Sequence, residues 1–375
     1  MDKDSYYKNA DRLYEKYKKL EIRKNDKLAA QFNIVSAGLF NYLPDIKTER
    51  HEILFKEILF HQKLSLLEQG RKDILDNTEI KNLEPGTWNQ LKRDPAIICT
   101  FHLGSYRLIN LLLAEQGVSF SLVIAKSVLE SQGASFTELF NQVSGRGNAS
   151  FNVIDAEAPS AAIQMLRDLK KGNSLVIYID GNTGSISNGV QKESYITVPF
   201  LNQQISVRRG VGFLAHASNR PVLPVICYRN SLKSIVLHFF KAIAPNENQS
   251  RDAFAYELIT NLYGSFEPFI RRYPEQWEGW IYLHKSAKII NPQQSQHNIN
   301  MLDPSDKLIF NKEQFGLFKT KGHYYLFNKA SYMSYSVNMV VYNLLENAMD
   351  CPINRSSIDL NLLSELFKHN ALIIA

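Results

Sequence analysis

The chain has 375 residues, 45% of them hydrophobic and 21% charged, with a formal net charge of +6 at pH 7. This composition is typical of a globular protein with a large core and excludes a disordered or fibrous chain. Because the length exceeds that of a usual single domain, we expect one large domain and one small one.

The basic residues are spread along the chain, with a local excess between residues 16 and 27. This excess indicates either a solvated helix face or contact with an anionic surface, which would be a lipid leaflet or an acidic carrier protein. The basic residues are not interleaved with aromatic residues in a recognisable nucleic-acid-binding motif. Nucleic acid is therefore not an expected partner.

The cysteines and the first residues of the sequence indicate in which cellular compartment the protein is expected. Cys99, Cys227 and Cys351 lie far apart without metal-ligand spacing, and the first two fall in apolar runs that are typical of buried strands. The first residues lack an apolar signal core, and residues 32–43, the longest early apolar stretch, are too short and too polar to span a membrane. We therefore expect a cytoplasmic protein, with peripheral contact at the inner membrane left open.

In chain order, the sequence predicts four regions. Residues 1–93 are expected to form helices packed on the core, because apolar residues recur at spacings of three and four. In residues 94–288, short β-rich runs alternate with amphipathic stretches, which predicts a mainly parallel central sheet covered by helices. Residues 289–306 are polar and aperiodic, as in a linker. Residues 307–375 show two strand-like runs and two helices, as in a small winged-helix-like domain. The expected fold class is α/β.

Two predicted strand ends carry candidate catalytic residues. His102 follows the apolar run that begins at Ile97, and Asp180, Gly181 and Asn182 follow another. Ligands of open α/β sheets bind at the carboxyl ends of strands, so a histidine there is a candidate base. Backbone amides of the second run could stabilise an oxyanion, although Asp, Asn and Gly also favour an ordinary turn.

A pair of arginines provides candidate phosphate ligands. Arg208 and Arg209 lie at the start of a predicted helix beside the strand ends, where they could bind the phosphate of a phosphopantetheine arm or of a lipid headgroup. Ordinary surface arginines would show the same pattern, and both interpretations stay open.

Residues 90–286 resemble the lipid A acyltransferases, within the wider lysophospholipid acyltransferase superfamily. Four sequence blocks match in order: Phe101-His102-Leu103-Gly104-Ser105-Tyr106; Leu169-Lys170-Lys171-Gly172 with residues 176–181; Val198-Pro199-Phe200-Leu201 with residues 209–216 and 220–225; and Pro274-Glu275-Gln276-Trp277 with residues 280–285. The resemblance implies the acyltransferase fold, and it implies that the tryptophans of the last block serve in packing.

The resemblance also implies a mechanism. In that family the histidine of the first block removes a proton from the acceptor hydroxyl, and a carboxylate five residues later orients and supports it. By position, His102 is the base and Ser105 belongs to the expected substrate-binding residues, with Gly181 and Asn182 from the second block. The carboxylate position, however, holds Arg107.

Three interpretations of Arg107 are open, because an arginine lowers the pKa of a nearby histidine and cannot stabilise its protonated form. In the first, another carboxylate supports His102, with Asp180, Asp155 and Glu157 as candidates. In the second, Arg107 binds an anionic group while His102 acts unassisted on an amine. In the third, the chain has the acyltransferase fold without the activity.

Residues 322–328 and the two helices after them resemble the small PqqD-like domains, which bind leader peptides by strand addition. This resemblance implies a peptide or natural-product acceptor. We therefore expect transfer of an acyl group from an acyl carrier protein or coenzyme A thioester to a hydroxyl or amine, without a metal or bound cofactor. The alternatives are a non-catalytic peptide- or carrier-binding protein and an ordinary lysophospholipid or lipid A acyltransferase.

Overall fold

The computed structural model describes residues 3–143, 149–181, 194–246, 248–290, 303 and 305–375. The chain divides into two compact units. The first comprises residues 1–18, 57–200 and 205–286, and the second comprises residues 19–56, 201–204 and 287–375. In this division residues 19–56 and 201–204 group with the C-terminal residues. Most of the predicted linker, namely residues 291–302 and 304, lies outside the described residues.

The first unit is built on a seven-stranded sheet. Its strands, in spatial order, are β1 (Glu79–Lys81), β9 (Ser234–Phe239), β8 (Val222–Ser231), β2 (Ile97–Thr100), β5 (Ser174–Tyr178), β3 (Phe120–Ile124) and β4 (Phe151–Asp155). Neighbouring strands are parallel, except for the antiparallel pair β8 and β9. Every residue of β2 is buried, as expected for a central strand covered on both faces. The predicted α/β class is confirmed.

Helices and one small sheet complete the chain as far as residue 286. The helices are α1 (Lys3–Lys18), α2 (Asp26–Tyr42), α3 (His51–Glu68), α4 (Lys72–Leu75), α5 (Thr87–Arg93), α6 (Leu108–Glu115), α7 (Lys126–Val143), α8 (Ala161–Lys170), α9 (Gly210–Ser218) and α10 (Arg251–Arg272). Strands β6 (Tyr195–Phe200) and β7 (Gln203–Arg208) are neighbours outside the main sheet. The N-terminal region is helical as predicted, except that the three-residue strand β1 interrupts it.

The core of the first unit joins helices to the sheet. Tyr6 and Leu64, from α1 and α3, belong to the same buried cluster as the strand residues Ile98 and Val176. Most of α6 is buried in this cluster, because its residues are almost all apolar. A helix with only two polar residues, Asn110 and Glu115, is stable only when most of its surface is covered.

The second unit contains α2 and two small antiparallel sheets. Its remaining elements are β10 (Ala287–Lys288), β11 (Lys307–Phe310), β12 (Phe315–Thr320), β13 (His323–Asn328), β14 (Met333–Val337), α11 (Met339–Asp350), β15 (Ile353–Asn354), α12 (Leu360–Lys368) and β16 (Leu372–Ile374). In one sheet β11 lies between β15 and β16, and in the other β13 lies between β12 and β14. The side-chain amides of Asn33 and Asn41 in α2 donate to the carbonyls of Leu317 and Lys329.

The predicted strand pair of the C-terminal region corresponds to β12 and β13, and the predicted helices correspond to α11 and α12. The sequence did not predict the other four strands after residue 306, which contain two to five residues each. Within the part of the chain that the structure describes, no helix combines the length and hydrophobicity that a membrane span requires.

Candidate active site

The pairing of β2 with β5 brings His102 and Asp180 together. Thr100 pairs with Tyr178, and the N–H of Ile179 donates to the carbonyl of Thr100 at 3.0 Å, so this register continues past the strand ends. His102 and Asp180 each lie two residues beyond the paired positions. Nδ1 of His102 is 2.8 Å from Oδ1 of Asp180, and the backbone N–H of His102 donates to Oδ2 at 2.9 Å.

Among the three carboxylates that the sequence offered, only Asp180 is brought to His102. Asp155 ends β4, which is separated from β2 by β5 and β3, and its Oδ1 accepts from the backbone N–H of Glu157. Glu157 lies on the wall of the same cavity as His102 without a hydrogen bond to the ring. A neighbouring strand therefore supplies the carboxylate that the first block lacks.

Trp277 holds the carboxylate of Asp180 from the other side. Its indole N–H donates to Oδ2 of Asp180 at 2.8 Å, and only 3% of the Asp180 side chain is exposed. The tryptophan was expected to serve in packing, and it does pack against Trp280, with ring centroids 4.8 Å apart. Its hydrogen bond in addition fixes the orientation of Asp180 and hence of the His102 ring. With Nδ1 directed at Asp180, Nε2 is the ring nitrogen available to a substrate.

His102 lies between two aromatic rings. The centroids of Tyr106 and Tyr178 lie 4.8 and 4.7 Å from that of the imidazole. Burial by itself lowers the pKa of His102, but the charge and hydrogen bond of Asp180, helped by Glu278, raise it above its ordinary value, whereas Arg107 acts in the opposite direction. About a quarter of the side chain, 27%, remains exposed. The ring is therefore held firmly but stays accessible.

Glu278 is a residue of the site that the sequence did not identify. Its backbone N–H donates to the carbonyl of His102 at 3.0 Å, and its carboxylate accepts from Tyr106 at 3.2 Å and from Gln62 at 2.8 Å. The only available signal was an acidic residue beside Trp277 in the last matched block. That position is variable in the family pattern, so the pattern gave no reason to select it.

The turn after His102 depends on a glycine. Gly104 has a φ of +59°, and an added Cβ would lie 2.8 Å from the carbonyl oxygen of Cys227 and 2.8 Å from Cα of Tyr228. The backbone at Gly104 thus lies directly against β8. Only glycine combines this close approach with a positive φ. Ser105, the next residue, is fully buried and does not line the cavity beside His102. The structure does not bring Ser105 to the substrate-facing wall where the sequence placed it.

A cavity of about 690 Å³ opens beside the His102 ring. Its volume is in the range of small-molecule sites, and its wall is mainly apolar with several charged groups. The polar and charged groups on the wall include His102, Asp180, Arg107, Arg208, Glu278 and Lys285. Such a cavity can hold an apolar chain with a polar head near the imidazole.

Only some of the remaining predicted binding residues line the cavity. Gly181 and Arg208 line the cavity, and Nε of Arg208 donates to the hydroxyl of Tyr195 at 3.2 Å. Arg209 is not on the cavity wall, and its guanidinium is paired with Asp252 at 2.6 Å. Asn182 lies outside the described residues.

The fold and the site define an α/β protein with a histidine–aspartate pair at the strand ends of a mainly parallel sheet. The sequence model of the bacterial lipid A biosynthesis acyltransferases matches residues 64–288, which is more than half of the chain, and the protein belongs to this acyltransferase family. The family resemblance found in the sequence is thereby confirmed, and the C-terminal resemblance to PqqD-like domains stays a prediction.

Among solved structures, the chain is similar to the 1-acyl-sn-glycerophosphate acyltransferase PlsC from Thermotoga maritima. The two are 9% identical with a TM-score of 0.31, and the match covers 66% of this chain and 98% of the PlsC chain. Comparison with curated protein sequences gave no significant match.

Proposed function

We propose that the protein transfers an acyl group from a thioester donor to a hydroxyl or amine acceptor, with His102 as the general base. The observation that carries this proposal is the contact of 2.8 Å between His102 Nδ1 and Asp180 Oδ1 on the wall of a large cavity. A base needs a fixed tautomer and a partner that stabilises the imidazolium, and Asp180 supplies both. This arrangement favours the first of the three interpretations of Arg107.

In the proposed reaction, Nε2 of His102 takes the proton of the acceptor while the acceptor oxygen or nitrogen forms a bond to the thioester carbonyl carbon. The carbon–sulfur bond then breaks, and the departing thiolate takes the proton from the imidazolium. Asp180 keeps Nδ1 protonated throughout and offsets the positive charge that forms on the ring. No step requires a resident cofactor.

An acyl carrier protein and coenzyme A present the same phosphopantetheine thioester, and both are proposed donors. Arg208 and Lys285 on the cavity wall can bind its phosphate, since a guanidinium or ammonium group pairs readily with phosphate oxygens. Arg209 is less suited to bind the phosphate because its guanidinium already forms an ion pair with Asp252.

The acceptor proposed first is a peptide or a peptide-derived natural product. One observation on the second unit favours it, because β14 is the last strand of its sheet among the described residues, and Met333 and Tyr335 on it are 54% and 48% exposed. A sheet edge of this kind can take up an extended peptide as an additional strand. A lysophospholipid or lipid A precursor, reached by peripheral contact with the membrane, is the alternative acceptor.

The test combines each donor with each acceptor class. The purified protein is incubated with coenzyme A and carrier-protein thioesters of several chain lengths, together with serine- or lysine-containing peptides or lysophospholipids, and products are identified by mass spectrometry. We expect one acylated class, formed by the wild type and absent with His102→Ala. Unchanged product with that variant would exclude His102 as the base. No product with any pair would favour a non-catalytic binding protein.

A further inference from the structure

Among the residues that the structure describes, Arg107 is a cation on the cavity wall without an anionic partner. Its side chain packs over the ring of Tyr106, 5.1 Å from the centroid, and NH1 donates to the neutral amide oxygen of Gln69 at 2.9 Å. Within the described ranges, no carboxylate forms an ion pair with it, and Nε has no hydrogen-bond partner although it is buried. One turn further along α6, Oδ1 of Asn110 is also buried and unpartnered in the same part of the chain.

Arg229 shows how this chain partners a fully buried guanidinium that lies away from the cavity. Arg229 is 2% exposed, and its Nε and NH2 donate to the two carboxylate oxygens of Glu68 at 3.1 and 2.5 Å. Withdrawing a charge from water is costly unless hydrogen bonds and an opposite charge offset the loss. Arg229 has both kinds of partner, whereas half-buried Arg107 has only a neutral one.

We propose that Arg107 binds an anionic group of the substrate, a carboxylate or a phosphate, and so selects charged over neutral substrates. The proposal rests on the proposed function and names a substrate class for it. Arg107 directly follows Tyr106, whose ring contacts the imidazole of His102, so the bound anion would lie beside the reacting carbonyl. A guanidinium with free donors can bind two oxygens of a carboxylate or of a phosphate at once. Oδ1 of Asn110 can accept from an adjacent N–H or O–H of the same substrate.

The surroundings of Arg107 suggest a simple set of probes. Arg107, Asn110, Leu122 and Phe136 line both the His102 cavity and an adjoining apolar pocket, whose wall includes Phe140 and other aromatic residues. The adjoining pocket holds only about 20 Å³, so a linear apolar tail fits the cavity of about 690 Å³ with its anionic head at Arg107. Decanoate, decyl phosphate and the neutral decanol share one tail and differ only in the head group.

Binding of the three probes is measured by calorimetry on the full chain, below the concentrations at which they form micelles. We expect the wild type to bind at least one anionic probe about tenfold or more tightly than decanol, and Arg107→Gln to lose this preference. A preference for decanoate identifies a carboxylate as the natural group, and a preference for decyl phosphate identifies a phosphate. Arg220→Gln is the control, because Arg220 does not line the cavity and is ion-paired with Asp94, and it should keep the preference.

Three results would overturn the proposal: equal affinity for charged and neutral probes in the wild type, an undiminished preference in Arg107→Gln, or binding of none of the probes. Arg107→Met keeps the aliphatic packing on Tyr106 and gives the same readout if Arg107→Gln does not fold. Because binding is measured without turnover, an Arg107-dependent preference in a protein without acyl transfer would contradict only the proposed function.

Discussion

Trp277 and His102 bind opposite oxygens of one carboxylate: the indole N–H is 2.8 Å from Oδ2 of Asp180, and Nδ1 of the imidazole is 2.8 Å from Oδ1. The indole therefore competes with the imidazole for the charge of Asp180. Without the indole donor, the carboxylate of Asp180 interacts more strongly with His102, and this favours the protonated imidazolium form of the ring. This relationship can be tested without knowledge of the substrate.

We expect Trp277→Phe to raise the pKa of His102 further, because the ring is retained while the donor to Asp180 is lost. The pKa is measured by NMR titration of the imidazole Cε1–H signal. Trp280→Phe is the matched control, since the indole of Trp280 donates to the carbonyl of Pro274 and not to Asp180. A pKa that stays unchanged or falls in Trp277→Phe would contradict the proposed role of the indole.

Asp180→Asn should lower the pKa of His102, because burial then acts without the opposing carboxylate charge. The rate of acyl transfer should fall by roughly 10²- to 10⁴-fold, the range found when the partner of a catalytic histidine is removed. Initial rates and the NMR titration check both effects. Asp155→Asn, at the end of β4, is the control and should leave both unchanged, because Asp155 does not contact His102.

The activity should depend on pH in a direction set by the raised pKa of His102. A base must be neutral, so kcat/KM should be low in acid and rise with pH, with a midpoint above the ordinary histidine value of about 6.5. The midpoint should move downward in Asp180→Asn. A rate that falls as the pH rises through this range would exclude neutral His102 as the base.

The same raised pKa affects stability with a definite sign. A group whose pKa is higher in the folded than in the unfolded state stabilises the fold fully below the unfolded value, and this stabilisation is lost as the pH rises through the folded value. The difference in unfolding free energy between wild type and His102→Asn should therefore shrink as the pH rises above about 6.5. Urea unfolding at several pH values measures it, and a difference that grows with pH would be the opposite of this expectation.

The sequence predicted the strand end of His102 and included Asp180 among its candidate partners, but it could not choose between the carboxylates. That choice depends on β5 lying beside β2, although β3 and β4 separate the two strands along the chain. Spatial order in a sheet is a long-range property, which periodicity within each strand does not encode. The local motif was therefore predictable, and the identity of its partner was not.

The contribution of the last matched block was harder to predict. Trp277 and Glu278 return to the His102 loop from a segment more than 170 residues away, as the separation between Tyr106 and Glu278 shows. The sequence assigned Trp277 to packing and gave Glu278 no role. Backbone hydrogen bonds from Glu278 to His102 and from Gly104 to Gln276, together with the bridge between Leu103 and Trp277, bring this block to the site. The shortest strands were missed because two or three residues carry no periodic signal.

Loss of one partner of the Arg229–Glu68 pair should strongly destabilise the first unit. Both side chains are 1% exposed, and Tyr6 also donates to Glu68 at 2.7 Å, so Glu68→Gln leaves a buried guanidinium without its opposite charge. We expect a loss of about 3–5 kcal/mol in unfolding free energy, measured by urea denaturation. Glu21→Gln, which breaks an exposed pair with Lys24, should cost no more than about 1 kcal/mol. Equal costs for the two variants would contradict the difference in burial.

Gly104→Ala should damage both the fold and the site, because the added methyl group would meet the backbone of β8 at 2.8 Å while the residue keeps a positive φ. Gly86→Ala separates the backbone strain from the steric contact. Gly86 also has a positive φ, +83°, but its Cβ would have no neighbour within 4 Å. Left-handed strain alone costs about 1–2 kcal/mol, so Gly86→Ala should lose this amount and Gly104→Ala distinctly more. Urea unfolding measures the stabilities, and the His102 titration reports on the site. If Gly104→Ala were no less stable than Gly86→Ala and kept the raised pKa of His102, the close approach to β8 would not be what positions the base.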